Sequence, residues 1–99
     1  MKNTTHQFAL IDSTYSAYDA REVITSLIND KIRFLNVQIL SLQERYGQNT
    51  EHLENRVREL EVNRREMIDL LTKATTEDAL VEVSSLVNVT VKQSVDIEA

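Results

Sequence analysis

Phe34-Leu35-Asn36-Val37-Gln38-Ile39-Leu40-Ser41-Leu42-Gln43 runs for ten positions without a charged residue. The architecture turns on whether this stretch is strand or helix. Leu35-Asn36-Val37-Gln38-Ile39 alternates with period two, and Ile32, Val37 and Ile39 are β-branched, as a strand prefers. Two longer ladders run through the same residues at helical spacing. Ile28, Ile32, Leu35, Ile39, Leu42 and Tyr46 step by four and three. Ala20, Val23, Leu27, Asp30, Phe34 and Val37 step by three and four, with Leu40 near the end. Both ladders extend well beyond the ambiguous segment without Gly or Pro, so the period predicts a helix over residues 17–46.

Working outward, Ser16 with Asp19 three residues later resembles a capping box at the start of that helix. Asp19 and Glu22 also fall in its first turn, where the helix dipole favours negative charge. Gly47, the sole glycine of the chain, stands where a helix C-terminus calls for φ > 0. Asn49 or Thr50 then caps a second helix, predicted over 50–74. Its apolar seam is Leu53, Val57, Leu60, Arg64, Met67, Leu71 and Ala74, a heptad pattern with one polar member. Glu54–Arg58 and Glu61–Arg65 mark the wet face at i, i+4 spacing. The short connection predicts an antiparallel hairpin. Its expected seam is Ile28, Ile32, Leu35, Ile39 and Leu42 against Leu53, Val57, Leu60, Met67 and Leu71, with Gly47 at the turn.

The flanks change period. Gln7-Phe8-Ala9-Leu10-Ile11-Asp12 is compatible with a short strand at 7–12. From Val81 the odd positions are Val81, Val83, Ser85, Val87, Val89 and Val91, while the even ones are polar except Leu86. That alternation predicts a half-buried strand at 80–92. The first helix starts where the second ends, so the two strands are expected to pair antiparallel. An acidic tail at 93–99 follows. The expected fold class is mainly α: one domain over 1–99, a coiled-coil-like antiparallel hairpin with short N- and C-terminal strands, assembled as a homo-oligomeric helical bundle.

Composition supports self-association. Ninety-nine residues allow one domain, and a chain this short buries only about two-thirds of its unfolded surface. There is no Cys for disulfides and no evident metal site, so association is the expected extra source of stability. One partner helix cannot cover both ladders of the first helix. Ala20, Val23, Leu27, Phe34 and Val37 are therefore the expected oligomer interface, most simply of a dimer. Arg64 has two readings. Either its stem lies on apolar surface with the guanidinium in water, or it pairs with Asp30, the lone charge of the outer ladder, and fixes register.

Several function classes lose support. One Gly excludes phosphate loops and dinucleotide fingerprints. No Cys excludes a thiolate nucleophile, zinc ribbons and iron–sulfur clusters. A net charge of −5 argues against a nucleic-acid partner, and no run approaches a membrane span. With no apolar leader, the expected location is cytoplasmic. His6 and His52 read as surface histidines. No catalytic, cofactor-binding or metal-ligating set stands out, and no cofactor is expected. Residues 1–75 hold eleven acids and ten bases, whereas residues 76–99 set Lys92 against Glu77, Asp78, Glu82, Asp96 and Glu98. That acidic end reads as a solubilising tail or as a segment that docks on a basic partner.

Phe8-Ala9-Leu10-Ile11-Asp12-Ser13-Thr14-Tyr15, Asp19-Ala20-Arg21-Glu22, Asp30-Lys31-Ile32-Arg33-Phe34 and Gln43-Glu44-Arg45-Tyr46-Gly47 resemble small bacterial proteins of unassigned function. Those combine a short strand with a helical hairpin. The resemblance covers roughly residues 8–75 and implies a fold without an activity. The length, acidity and central turn also resemble Trp-x-Gly secretion substrates, which are helical-hairpin dimers; here Arg45-Tyr46-Gly47 lacks the Trp. The outline is similar, too, to the coiled-coil hairpin of polymerase secondary-channel factors, whose acidic tip would fall at Glu44 and Glu51. The expected function is a non-enzymatic structural or protein-interaction module. The alternatives are a secreted hairpin substrate and a ligand-binding or enzymatic site formed between subunits.

Overall fold

The computed structural model describes residues 3–93. Their order is β1 (Thr4–Ser16), α1 (Ala17–Tyr46), α2 (Glu51–Thr76) and β2 (Leu80–Val91). They fall into two compact units, the helical hairpin of Tyr15–Val81 and a ribbon formed by the segments before and after it.

The ends of α1 follow from local chemistry. Ser16 is extended (φ −62°, ψ 156°), and its Oγ accepts from the Asp19 N–H at 3.1 Å, satisfying one of the orphan donors of the first turn. Gly47 is left-handed (φ 60°, ψ 27°), and its N–H donates to the Gln43 carbonyl at 3.1 Å. A Cβ at Gly47 would meet nothing within 4 Å, so backbone conformation rather than space calls for glycine there.

The hairpin is antiparallel. Among the side-chain hydrogen bonds that cross it, three mark the register: Gln43 to Thr50, Arg64 to Asn29 and Arg21 to Thr72. Each pair of residue numbers adds to the same total, as two chains running in opposite directions require. Between them Ile32, Leu35, Val57 and Leu60 form a buried cluster, with Ile28, Ile39 and Leu53 packed against it.

The α2 C-terminus holds a second left-handed residue. Asp78 has φ 54°. The Ala79 N–H donates to the Ala74 carbonyl at 3.0 Å and the Asp78 N–H to the Thr75 carbonyl at 3.1 Å, the paired bonds of a Schellman motif. Aspartate tolerates this conformation at some cost and adds a negative charge at the negative end of the helix dipole. Asp78→Gly is expected to raise stability by about 0.5–1 kcal/mol, read as a higher urea midpoint with an unchanged slope.

β1 and β2 form a two-stranded antiparallel sheet. The Gln7 amide donates to Asn88 Oδ1 across it, which puts these two side chains on one face. By alternation Ala9, Ile11 and Leu86 share that face, and Phe8, Leu10, Val83, Val87 and Val89 take the other. None of the described ribbon residues is buried, and Ile11, Val83, Ser85 and Val87 are half-buried.

These observations correct the expected fold class. Of the described residues 62% are helical and 27% are strand. The chain is a two-helix hairpin with a two-stranded antiparallel sheet, rather than a mainly α hairpin with short strands, and the expected homo-oligomeric bundle is not shown. β1 covers 13 residues where 7–12 was expected. Its polar ends, Thr4-Thr5 and Ser13 to Ser16, carry no apolar alternation. They are strand because β2 extends opposite them, a tertiary cause that local pattern cannot show. α2 begins one residue later and ends two later than 50–74, and β2 ends one residue before 92. Apart from Gln93, the expected acidic tail at 93–99 lies outside the described residues.

Candidate functional site

The described residues offer surfaces rather than a pocket lined by convergent chemistry. Among them no group of three or more His, Asp or Glu side chains gathers as metal ligands would. His6 lies against Phe8, with ring centroids 5.8 Å apart, and His52 is exposed in the first turn of α2. A shallow depression on α2 is lined by Arg56, Glu59, Val62 and Asn63, and Arg56 and Glu59 neutralise each other across 3.0 Å.

The expected seam residues all lie on the inner side of the hairpin. Ile32, Leu35, Val57, Leu60 and Leu71 are buried, while Ile28, Ile39, Leu42, Leu53 and Met67 are half-buried. The expected outer ladder divides. Leu27, Phe34 and Val37 are exposed, the last two to 61% and 63%, and Leu40 joins them at 55%. Val23 is half-buried, and Ala20 is 0% exposed. Ala20 therefore belongs to the interior of the hairpin, not to an outer interface. The cause is helical period. Ala20 is two heptads from Phe34, and a strict heptad ladder drifts about 20° per heptad around a straight helix. Inside the hairpin the stripe runs Ala17, Ala20, Ile24, Ile28, Ile32, with Ile24 as the link that neither ladder contained.

The expected Asp30–Arg64 pair does not form within the chain. Asp30 accepts from Arg33 at 2.8 Å on the exposed face, and Arg64 donates to Asn29 Oδ1 instead. Asn29 is one residue, or about 100° of helix, away from Asp30, on the side that faces α2. Arg64 is thus neutral in partnership and half-buried in the seam. Asp30 interrupts the apolar outer stripe, but Arg33 beside it balances its charge. Lys31 Nζ lies 5.4 Å from the centre of the Phe34 ring, a contact a cation makes readily with an aromatic face.

Sequence reading gave Thr50 only a capping role. Thr50 is 2% exposed, the sole buried polar side chain among the described residues. Its hydroxyl caps no backbone N–H. It accepts from Gln43 Nε2 at 2.8 Å and donates to Glu54 Oε2 at 2.7 Å. The nearby Asn49 side chain takes the Glu51 N–H at 2.9 Å. Gln43, Thr50 and Glu54 thereby lock the last turn of α1 to the first turn of α2, and every polar atom of that buried hydroxyl is satisfied. The Thr50–Glu54 spacing of four residues was the one trace of this network in the sequence.

No helix among the described residues is long and apolar enough to cross a membrane. Exposed apolar side chains lie on the outward side of α1, at Leu27, Phe34, Val37 and Leu40, and in the ribbon, at Phe8, Leu10, Leu86, Val89 and Val91. No family model matches the chain, and no curated protein or solved structure does either.

Proposed function

We propose that this protein is a non-enzymatic structural module that binds a second copy of itself through the outward stripe of α1. The observation that carries this reading is the exposure of Leu27, Phe34, Val37 and Leu40 along the outward side of a helix whose other side is already buried against α2, with Asp30 the one charged member of that stripe. Residues 34–43 hold no charge that would keep such a stripe in water. Contiguous exposed apolar surface of this kind marks an interaction site. A second copy brings the same stripe, so that apolar side chains of both helices pack against one another. Within the stripe Asp30 is paired with Arg33, and Lys31 lies against the Phe34 ring.

Sedimentation tests the proposal. The wild-type chain is expected to sediment as a dimer or larger at micromolar concentration. Phe34→Glu is expected to weaken association by at least 30-fold, since an aromatic anchor at the centre of an interface contributes about 2 kcal/mol or more. Its far-UV circular dichroism should stay that of the wild type, because Phe34 takes no part in the hairpin core. A monomeric wild type, or a Phe34→Glu variant that associates as tightly, would rule the proposal out.

A further inference from the structure

The outer edge of β2 carries a second self-complementary pattern. In a two-stranded sheet each strand has one unpaired edge, so β2 presents open N–H and C=O groups along its length. No Gly or Pro interrupts residues 80–92, and Leu86, Val89 and Val91 are exposed on it. A ribbon of two strands with no buried residue is marginal in water, while a sheet of four strands is not. A long uncharged edge is also prone to indiscriminate pairing unless something specifies its partner.

The charges supply that specification. From 80 to 92 the charged residues are Glu82 and Lys92, each five positions from Val87. We propose that β2 pairs antiparallel with β2 of a second copy, about a two-fold axis at Val87. Glu82 then stands opposite Lys92 of the partner subunit, and the symmetry makes this pair twice. Parallel pairing in register would set like charges opposite each other, which is unfavourable. In the antiparallel register Val83 faces Val91 of the partner subunit, and Ser85 faces Val89 of the partner subunit. The odd-numbered valines of both copies merge into one apolar face, which also carries Phe8 and Leu10. The free edge of β1 is the competing site. There His6 and Asp12 lie three residues either side of Ala9, but β1 holds no Lys or Arg to set opposite Asp12 of a second copy. The inference rests on the self-association proposed above and adds a contact separate from the α1 stripe.

The chain has no cysteine, so a single introduced one reports register cleanly. Residues directly opposite in an antiparallel pair have Cα atoms about 4.5–5.5 Å apart, within disulfide range. Under mild oxidation Val87→Cys is expected to form a covalent dimer and Ala9→Cys is not. Charge reversal is the second readout, on exposed residues that do not endanger folding. Lys92→Glu and Glu82→Lys are each expected to weaken association about tenfold at low salt, and the double exchange Glu82→Lys/Lys92→Glu to restore it to within about twofold. Cross-linking through Ala9→Cys in place of Val87→Cys, or single and double charge variants that associate alike, would overturn the edge pairing. Sedimentation of the reduced proteins separates the two levels. A dimer that shows neither cross-linking of the Val87→Cys variant nor charge rescue overturns the pairing of β2 and leaves self-association through α1 standing, whereas a monomer overturns both.

Discussion

Leu35→Ala is expected to destabilise the chain by about 2–5 kcal/mol, the usual range for a buried Leu truncation that leaves a cavity. Leu35 is 4% exposed and sits with Ile32, Val57 and Leu60 in the one buried cluster between the helices. Few buried neighbours stand ready to close the space. For a chain of this length a loss of 2 kcal/mol already lowers the melting midpoint by about 8–16 °C. Asn36→Ala, next in sequence and exposed, is the control and should stay within about 0.5 kcal/mol of wild type. A Leu35→Ala midpoint within a few degrees of the control would mean that this seam does not hold the hairpin together.

Ala20→Asp is expected to cost several kcal/mol and to leave the chain largely unfolded at 37 °C. Ala20 is 0% exposed, and a carboxylate placed there loses its water. Neighbouring Arg21 already reaches across to Thr72, which places Ala20 on the stretch of α1 facing Leu71, itself 3% exposed. Circular dichroism and sedimentation together give a sharp reading. Loss of helical signal confirms an interior position. A fully helical monomer would instead show Ala20 at an outer interface, where the heptad ladder first placed it.

These two residues show how far the sequence could be read. The boundaries of α1 were legible because both ends carry their own chemistry: Ser16 with Asp19 at the start, and the single Gly47 at the turn. The inner seam was legible from Ile28 onward because large apolar residues repeat there without exception. It failed at Ala20, a small residue that fits either ladder, where the accumulated drift of a straight helix moves it inward. Arg64 is the odd member of its seam in the sequence, but its partner is Asn29 rather than the more conspicuous Asp30. Charge drew attention to the wrong neighbour, and a difference of one residue on a helix changes the face. Asp78 escaped notice for the opposite reason. Glycine is the usual sign of a left-handed cap, and this cap has none. The length of β1 was hidden because Thr and Ser at its ends pair only when β2 is present opposite them.

The Gln7–Asn88 bond spans 81 residues, while the turn of the hairpin closes across a handful. These distances order the events of folding. Joining residues 7 and 88 in an open chain carries the loop-closure entropy of the whole intervening segment. Once the helices have zipped from Gly47 outward, Ser16, Ala17, Thr75 and Leu80 already line one small depression. The remaining free segments then amount to about 16 residues, which lowers the closure entropy by roughly 1.4 kcal/mol, about tenfold in rate. The hairpin is thus expected to form first and the ribbon last. Substitutions in the ribbon act on how fast the native state opens, and substitutions near the turn on how fast it is reached.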